Sequence, residues 1–375
     1  MGQSELHLES ILRVGLIVAI LFSLVFSNLT LAKQGQAELI DWTSPTLTDL
    51  YSVFMVNSSE GWSVGGGGTI IHWNGTQWTN FTSPTNAALF SVSMVGPDDG
   101  WAVGANGTVI DWNGTDWQVV LSPTLSDLHS VCMVNADDGW AVGAVGTIIR
   151  WNGTDWTNVP SKIIDTLNSV SMVNSTDGWA VGDGGIFIHW NGTAWSTAPP
   201  GSPGGQFLFP KCIYMLSANN GWAVGDLGAT WHWNGAEWIY FGLGNIVLES
   251  VFFVNPSDGW MVGSPGTIYV IGNSGPVYHW DGTGWDFVAS PTIDPIRLSS
   301  VFMVNASDGW IVGEGGTILR WNGAQWVIPE FSTIYAPFVV LLTLATVILK
   351  RVPVRHDKDR AINTKACALR QKKRE

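Results

Sequence analysis

The stretch SVCMVNADDGWAVGAVGTIIRWNGTDW, residues 130–156, occurs seven times along the chain with small changes. Every copy contains a Gly-Trp step, then Trp-Asn-Gly or Trp-Asp-Gly, and then one more tryptophan. A spacing of about 40 to 50 residues is typical of the blades of β-propellers. The repeat therefore predicts an all-β fold, a seven-bladed β-propeller of four-stranded antiparallel blades. The Gly-Trp tryptophans that set the spacing are Trp62, Trp101, Trp140, Trp179, Trp222, Trp260 and Trp310.

Four strands are expected in each copy. The first, Leu50–Val56 in the first copy, is apolar without helical periodicity, which is typical of a strand covered on both faces. An Asp-Gly or Asn-Gly step follows in most copies, and such a step between strands predicts a tight hairpin turn. A G-x-x-G-T turn precedes the third strand, and the later Asn-Gly step predicts the hairpin to the fourth. We name these strands a, b, c and d.

Tryptophan is unusually frequent, with 23 residues, and three of them recur in each copy. An indole ring buries a large apolar area, so we expect the repeated tryptophans to form the core between blades rather than to stack on a ligand. Trp42 stands in LIDWTSPT, which copies strand d and the loop after it. The amino end is therefore one candidate for the strand that closes the ring, and Ala324–Ile328 is the other.

Charge and cysteine content exclude several classes of function. The net charge is −13, and an acidic body does not suit nucleic acid, which requires clustered Lys and Arg. Cys132, Cys212 and Cys367 show no paired spacing, so neither a disulfide framework nor a zinc site is indicated. Between residues 34 and 349 the basic residues are Arg150, Lys162, Lys211, Arg297 and Arg320.

Both ends of the chain carry apolar runs. Val14–Phe26 follows Arg13 and has the length of the apolar region of a secretory signal peptide, with an uncleaved signal anchor as the alternative. Ile334–Leu349 is followed by Lys350 and Arg351, which is typical of a transmembrane helix with a cytoplasmic tail. We therefore expect a propeller at the cell surface, extracytoplasmic and anchored to the membrane by a C-terminal helix. The expected segments are a signal peptide or anchor at 1–32, the propeller at 38–328, a sorting motif with the transmembrane helix at 329–351, and a basic cytoplasmic tail at 352–375.

The residues before this helix resemble a known sorting signal. Pro329, Glu330 and Phe331, followed by an apolar stretch and basic residues, are similar to the PEF-type C-terminal signal of archaeal surface proteins. The resemblance implies processing by an archaeosortase, which exchanges the helix for a lipid anchor. Such signals usually end soon after the basic cluster, whereas this tail continues to Glu375. An uncleaved transmembrane helix is therefore the alternative.

The repeat itself also resembles a known group. The motif DGWAVGxxGTII is similar to the repeat of Ycf48-type photosystem assembly factors and of BNR or Asp-box propellers, over nearly all of Tyr51–Trp326. The resemblance implies a propeller fold and, for the first group, a role in assembling a membrane protein complex. The chain has Trp-Asn-Gly-Thr-x-Trp where Asp-box relatives carry a DGG-x-TW turn, so the Asp-box geometry is not implied.

Interruptions of the repeat mark the predicted binding site. Because the strands alternate in direction, the b–c and d–a connections share one end of the ring, which we call the loop face. The a–b and c–d turns share the other end, the turn face. Insertions within 196–211 and 268–277 belong to the loop face, as does a lengthened loop that contains Arg297. Recognition commonly resides in loops on a rigid scaffold. We predict a site for a protein or glycan ligand at Gln206, Phe207, Lys211, Tyr269, Asn273 and Arg297.

The turn face is expected to carry one carboxylate in most blades, and these residues are too widely spread to share one ion, so no metal or other cofactor is predicted. The residue before each Trp-Asn-Gly step is usually His or Arg, and we expect it on a strand surface. No Ser-His-Asp arrangement or phosphate-binding loop occurs, and the three convergent arginines of sialidase-like propellers are not evident. We therefore expect a binding or scaffold module without catalysis; the alternatives are an assembly factor and a glycan-acting enzyme. The turn-face carboxylates are Glu60, Asp99, Asp138, Asp177, Asp258 and Asp308.

Overall fold

The computed structural model describes residues 44–197, 208–265, 275–292 and 296–328, which form seven four-stranded sheets. Every ladder between neighbouring strands is antiparallel, as the pairings of the first blade show. The predicted seven-bladed propeller is confirmed. Within these ranges no helix is both long enough and apolar enough to cross a membrane. The segments predicted as signal peptide, PEF motif, transmembrane helix and basic tail lie outside the described residues.

Each blade is a meander in which strands a, b, c and d follow in chain order. In blades 1 to 5 and in blade 7, a short 3-10 turn joins strands b and c, at Gly66–Gly68, Ala105–Gly107, Ala144–Gly146, Asp183–Gly185, Asp226–Gly228 and Glu314–Gly316. The strands of blades 1 to 4 are β1 Leu50–Asn57, β2 Glu60–Gly65, β3 Ile70–Trp73, β4 Trp78–Phe81; β5 Leu89–Gly96, β6 Asp99–Gly104, β7 Val109–Trp112, β8 Trp117–Val119; β9 Leu128–Asn135, β10 Asp138–Gly143, β11 Ile148–Trp151, β12 Trp156–Asn158; β13 Leu167–Asn174, β14 Asp177–Gly182, β15 Ile186–Trp190 and β16 Trp195–Thr197. Those of blades 5 to 7 are β17 Pro210–Ser217, β18 Asn220–Gly225, β19 Ala229–Trp233, β20 Trp238–Gly242; β21 Val247–Asn255, β22 Asp258–Ser264, β23 Val277–Trp280, β24 Trp285–Val288; β25 Leu298–Asn305, β26 Asp308–Gly313, β27 Ile318–Trp321 and β28 Trp326–Val327.

The ring closes between the first and last blades. Strand a is the innermost strand, and the a strands of successive blades contact one another, including β1 against β25. The fourth strand of blade 7 is β28, which pairs with β27, so the candidate at the carboxyl end of the propeller supplies it. Trp42, in the other candidate, lies outside the described residues. The N–H of Gly315 in the b–c turn of blade 7 donates to Asp49 Oδ1 in the loop before blade 1, at 2.8 Å. The b–c turns and d–a loops therefore share one face.

Serine side chains form hydrogen bonds with backbone groups at the inner edge of the sheets. Ser52 Oγ accepts the backbone N–H of Val92 in the next blade at 3.3 Å, and Ser300 Oγ accepts that of Val53 at 3.3 Å across the closure. The same bond joins four of the other pairs of neighbouring blades. In blade 5 the position is Cys212, whose thiol donates to the Val251 carbonyl at 3.9 Å. The serine bonds satisfy N–H groups, and the cysteine bond a carbonyl group, that no further strand pairs.

The core between blades is built from tryptophan, as predicted. Trp62 of blade 1 contacts Trp112 of blade 2 with ring centroids 4.6 Å apart, and it meets Trp117 edge to face at 5.4 Å. Trp310 of blade 7 contacts Trp73 of blade 1 in the same way, at 4.6 Å. Aromatic pairs at such separations contribute about 0.5–1.5 kcal/mol beyond the burial of their area. The same three-ring contact therefore holds every interface, including the closure.

The Asp-Gly step does not form the a–b turn, and in this respect the sequence-based prediction is wrong. In blade 3 the two turn residues are 136–137, and Asp138 already pairs with Asn135 as the first residue of strand b. Gly139 follows with no positive φ, but a Cβ there would lie 2.2 Å from Met133 Sδ. Glycine here leaves room for the methionine side chain of the neighbouring strand, which lies over it.

Gly104 provides a test of this close packing. Its Cβ would lie 1.9 Å from the carbonyl oxygen of Ala88, which also accepts the N–H of Ala105 at 2.9 Å. Because that oxygen belongs to the backbone, Gly104→Ala should lower the free energy of unfolding by about 3 kcal/mol. Denaturant unfolding followed by tryptophan fluorescence measures it. In the matched control, Gly96→Ala, the new Cβ has no neighbour within 4 Å and stability should hardly change. Equal effects in the two variants would contradict the interpretation.

Candidate functional site

A ring of seven side chains lies on the loop face around the axis of the propeller. Each is the second residue of strand a, or the third in blade 6, where the strand begins one residue earlier. In every blade the a–b ladder has a register shift at this residue. Such a β-bulge turns a side chain away from the regular alternation of a strand. We call these half-buried residues the rim: Tyr51, Phe90, His129, Asn168, Lys211, Glu249 and Ser299.

One half of the rim is aromatic. Tyr51 and Phe90, in blades 1 and 2, have ring centroids 5.9 Å apart, and Phe90 meets His129 of blade 3 edge to face at 5.8 Å. The three rings form a continuous surface that is still partly open to solvent. Such a surface suits the apolar or aromatic side chains of a polypeptide, or the apolar face of a sugar ring.

The other half of the rim is charged. Glu249 Oε2 lies 3.6 Å from Lys211 Nζ, and Glu249 Oε1 lies 3.7 Å from Arg297 Nε. Lys211 Nζ also lies 3.6 Å from Asp226 Oδ1. These distances exceed those of close charge-assisted hydrogen bonds, about 2.7–2.9 Å, so the pairs are loose. Both cations can therefore turn toward a ligand without first breaking a short bond.

Arg297 joins the two halves. Its guanidinium carbon lies 6.0 Å from the centroid of the Tyr51 ring, and its side chain is 46% exposed, against 14% for Glu249. Its backbone N–H donates to Glu314 Oε2 at 3.3 Å, which holds the residue at this place in the loop. A charged and exposed donor thus stands beside an aromatic surface.

The structure brings together two of the residues that the sequence predicted. Lys211 and Arg297 meet through Glu249, a residue that the sequence reading did not include. The aromatic rim residues were also missed, because they occupy an ordinary position in a repeated strand. A usable signal existed, since this position changes in every copy while the residues on both sides of it are nearly constant. The other predicted ligand residues lie outside the described residues: Gln206, Phe207, Tyr269 and Asn273. The sorting-motif residues Pro329, Glu330 and Phe331 also lie outside them.

Below the rim, the fifth residue of strand a surrounds the same axis. Four aromatic rings contact one another in succession through blades 5, 6, 7 and 1, with centroids 4.6 to 4.8 Å apart: Tyr214, Phe252, Phe302 and Phe54. Blades 2 to 4 instead carry the small residues Ser93, Cys132 and Ser171. The interior is therefore aromatic on one side and lined by small residues on the other.

Burial controls the ionisation of two groups in this interior. It raises the pKa of Tyr214 to about 12, and the nearby Cys132 adds a smaller upward effect. Burial also raises the pKa of the Cys132 thiol, although the Met172 backbone, by hydrogen bonding, opposes the rise. Both groups are therefore neutral at pH 7. A thiol held in its neutral form does not suit nucleophilic catalysis.

The turn face carries pairs that join strands b and c. His72 Nε2 lies 2.6 Å from Glu60 Oε1, and Arg150 Nε donates to Asp138 Oδ1 at 2.9 Å. Equivalent contacts of 2.7 to 3.0 Å recur in blades 4 to 7. The sequence reading treated the carboxylates and the basic residues as two independent sets. The structure pairs a basic residue with a carboxylate in five blades, and His232 with Asn220 in blade 5, which assigns these residues to holding the strands in register.

Blade 2 lacks this pairing, because Asp99 faces Asp111. Burial is the main cause that raises the pKa of each carboxyl group, and charge repulsion adds to it, from Asp137 for Asp99 and from Asp99 for Asp111. Among the described residues no group of three or more His, Cys, Asp or Glu side chains is arranged to hold a metal ion.

No protein-family model and no curated protein matches the chain. Several solved structures share its fold. A structure described as Ycf48 bound to a D1 peptide is 18% identical, with a TM-score of 0.61, and the match covers 74% of this chain and 93% of that one. Ycf48 from Cyanidioschyzon merolae is also 18% identical, with a TM-score of 0.58 and 74% and 97% coverage. The WD40 propeller domain of Doa1 is 14% identical, with a TM-score of 0.58 and 74% and 95% coverage. These likenesses confirm the propeller fold.

The carboxylate pair of blade 2 leads to a prediction about pH. Both carboxyl groups have a pKa above the ordinary value of 3.8, so the folded state binds their protons more tightly than the unfolded chain does. Stability is therefore lost as the pH rises through these raised values. Asp111→Asn should raise the unfolding midpoint at pH 7, and the gain should shrink toward pH 4. Denaturant unfolding at several pH values measures this.

The exposed Asp116, in the following turn of the same blade, provides the matched control. Asp116→Asn removes one negative charge without relieving the pair, so its effect should vary little with pH. A gain for Asp111→Asn that is the same at pH 4 and pH 7 would show that packing, and not charge, is responsible.

Proposed function

We propose that the chain is an extracytoplasmic, membrane-anchored propeller that binds a segment of another protein at the rim and serves as a surface recognition or assembly module without catalysis. The observation that carries the proposal is the loss of repetition at the rim. The tryptophan contacts and the a–b turns recur around the ring, whereas the rim residue differs in every blade. The fold does not require this variety, so these side chains are available for specific recognition.

The chemistry of the rim indicates the class of ligand. The aromatic half can take an apolar side chain, and Lys211 with Arg297 can take a carboxylate, while Glu249 restricts how both cations are presented. A polypeptide segment offers both kinds of group within a few residues. The likeness to a Ycf48 structure that contains a bound peptide supports a protein ligand for a propeller of this kind. Binding of a protein segment in this way would also serve the assembly of a membrane protein complex.

The proposed location rests on the sequence. Export follows from residues 1–32, and anchoring follows from the apolar run at 334–349 with its basic flank. Processing by an archaeosortase after the Pro329–Phe331 motif, and an archaeal cell surface, form part of the same proposal.

Mass spectrometry of the mature protein tests the processing step. If the motif is cleaved, peptides from the tail that contain Arg355 should be missing from the membrane-bound protein, while peptides of the propeller are recovered. Recovery of the tail peptides in the same yield would replace the lipid anchor with an uncleaved transmembrane helix.

Site-directed photo-crosslinking tests protein binding. A photoreactive phenylalanine analogue replaces Phe90 in the full chain, in membranes of cells that express it. We expect a discrete adduct with one protein, and we expect its yield to fall about tenfold when Tyr51→Ala and Arg297→Gln are added, because each removes a contact at the rim. The control places the same analogue at Thr115, an exposed residue of the turn face, where no such adduct should form.

A glycan array with the same chain separates the two ligand classes. Binding to a glycan that is lost in Tyr51→Ala, with no protein adduct from position 90, would replace the protein ligand with a carbohydrate. No adduct and no glycan binding would contradict a recognition role for the rim.

A further inference from the structure

The two faces of the propeller differ in exposed apolar side chains. Among the described residues, four large aliphatic side chains are at least 80% exposed, and all four lie in d–a loops of the loop face: Leu47, Leu121, Leu125 and Ile164. The turns of the opposite face carry no large apolar residue, because they consist of Asn, Asp, Gly, Ser, Thr, Ala, Pro, Gln and Glu. Exposed apolar side chains that are concentrated at one end of a protein indicate a surface that contacts another molecule or a membrane.

The b–c turns add to the same face. The central residue of these turns has a positive φ, and it is Gly or Asn in four blades but Val145 and Leu227 in two others, with φ values of 55° and 56°. A β-branched residue is strained in this region of the backbone. Val145 is 71% exposed and Leu227 is 52% exposed, so burial within the propeller does little to offset the strain. These side chains are placed for a contact outside the chain.

The direction of the chain indicates what lies opposite this face. Strand d runs toward the loop face, so the chain leaves blade 7 there, after β28 and Ile328. The apolar run predicted to cross the membrane starts at Ile334. Residues 329–333, fully extended, span at most about 18 Å. The loop face of an anchored chain therefore cannot lie far from the bilayer.

We propose that the loop face rests on the surface of the bilayer, with the exposed aliphatic side chains of the d–a loops in the interfacial region. This proposal depends on the membrane anchoring proposed above, and not on the identity of the ligand at the rim. Apolar side chains at the edge of a surface stabilise such contacts by leaving water for the lipid boundary. Several contacts on one tethered body act together, since the anchor already holds them close to the lipid.

Charge determines the kind of lipid surface. Asp127 Oδ1 accepts the N–H of Asn106 at 2.7 Å, and Asp49 Oδ1 accepts that of Gly315, so these carboxylates are held at the loop face beside the exposed side chains. Acidic groups are repelled by anionic headgroups over a distance of about 10 Å at moderate salt. The described part of the loop face also carries three basic residues, Lys162, Lys211 and Arg297, but seven acidic ones outnumber them: Asp49, Asp127, Asp165, Asp183, Asp226, Glu249 and Glu314. The contact should therefore be apolar, and it should favour zwitterionic over anionic lipid.

Fluorescence in reconstituted vesicles tests this orientation. The full chain, with Cys367→Ser, is placed in phosphatidylcholine vesicles and carries an environment-sensitive dye at Leu125→Cys. We expect a blue-shifted emission and about threefold quenching by nitroxide-labelled lipid, as for a group in the interfacial region. The dye at Thr115→Cys on the turn face should remain water-exposed. Leu47→Ser with Ile164→Ser should reduce the quenching at position 125, and phosphatidylserine should reduce it until salt is added.

The possible results distinguish a failure of the anchoring proposal from a failure of the bilayer-contact proposal. A chain that does not float with the vesicles lacks the anchor, and both proposals about the membrane then fall. A chain that floats but shows a water-exposed dye at position 125 is anchored without resting on the lipid, which overturns this inference alone. A blue shift without quenching by nitroxide lipid would show that a protein surface, either a second copy or a partner, covers the loop face instead.

Discussion

The contact of one tryptophan with two tryptophans of the next blade holds this ring together. Trp140 of blade 3 meets Trp190 and Trp195 of blade 4 at 4.7 and 5.3 Å, and the same geometry occurs at the other interfaces. The core lies between sheets, so no blade can bury its apolar faces without its neighbours. The buried indole N–H of Trp140 has no hydrogen-bond partner, which shows that apolar contact outweighs the loss of a polar interaction here. Because the last blade makes the same contact with the first, the ring closes without an exchanged strand.

The requirement for this contact explains the other repeated residues. Trp151 donates its indole N–H to the carbonyl of Ala136 in the a–b turn at 2.9 Å, which ties the core to the turn face. The glycine before each strand b tryptophan leaves room for a side chain of strand a, and the acid–base pairs keep strands b and c in register. Polar residues that resemble a catalytic or binding site in one copy thus have a structural role when all copies are compared. Only a position outside this framework, such as the rim, is free to vary.

The sequence predicts the fold well because each copy of the repeat shows the four strands of one blade, and the number of copies gives the number of blades. It leaves open which end of the chain supplies the fourth strand of blade 7. It fails at the a–b turn, where Asn135 Oδ1 accepts the N–H of Asp137 at 2.9 Å and moves the turn before the Asp-Gly step. Both the Asn side chain and the Asp-Gly step favour a turn, at positions two residues apart, and the sequence pattern alone does not show which position the turn takes. The site is less predictable, because a β-bulge that redirects Phe90 has no fixed sequence signature. Lys211 and Arg297 were found from the interruptions near them, but their meeting at Glu249 depends on how blades 5, 6 and 7 pack side by side.

The rim and the layer of side chains below it differ from blade to blade in opposite ways. In blades 2 and 3 an aromatic rim residue stands above a small one, Phe90 above Ser93 and His129 above Cys132. In blades 5 and 6 a charged rim residue stands above an aromatic ring, as Lys211 does above Tyr214. A side chain that contacts Phe90 or His129 thus lies above small polar residues, whereas one held by Lys211 lies above an aromatic ring. Because the rim lies on the loop face, a ligand segment that approaches this face meets the aromatic half and the charged half together.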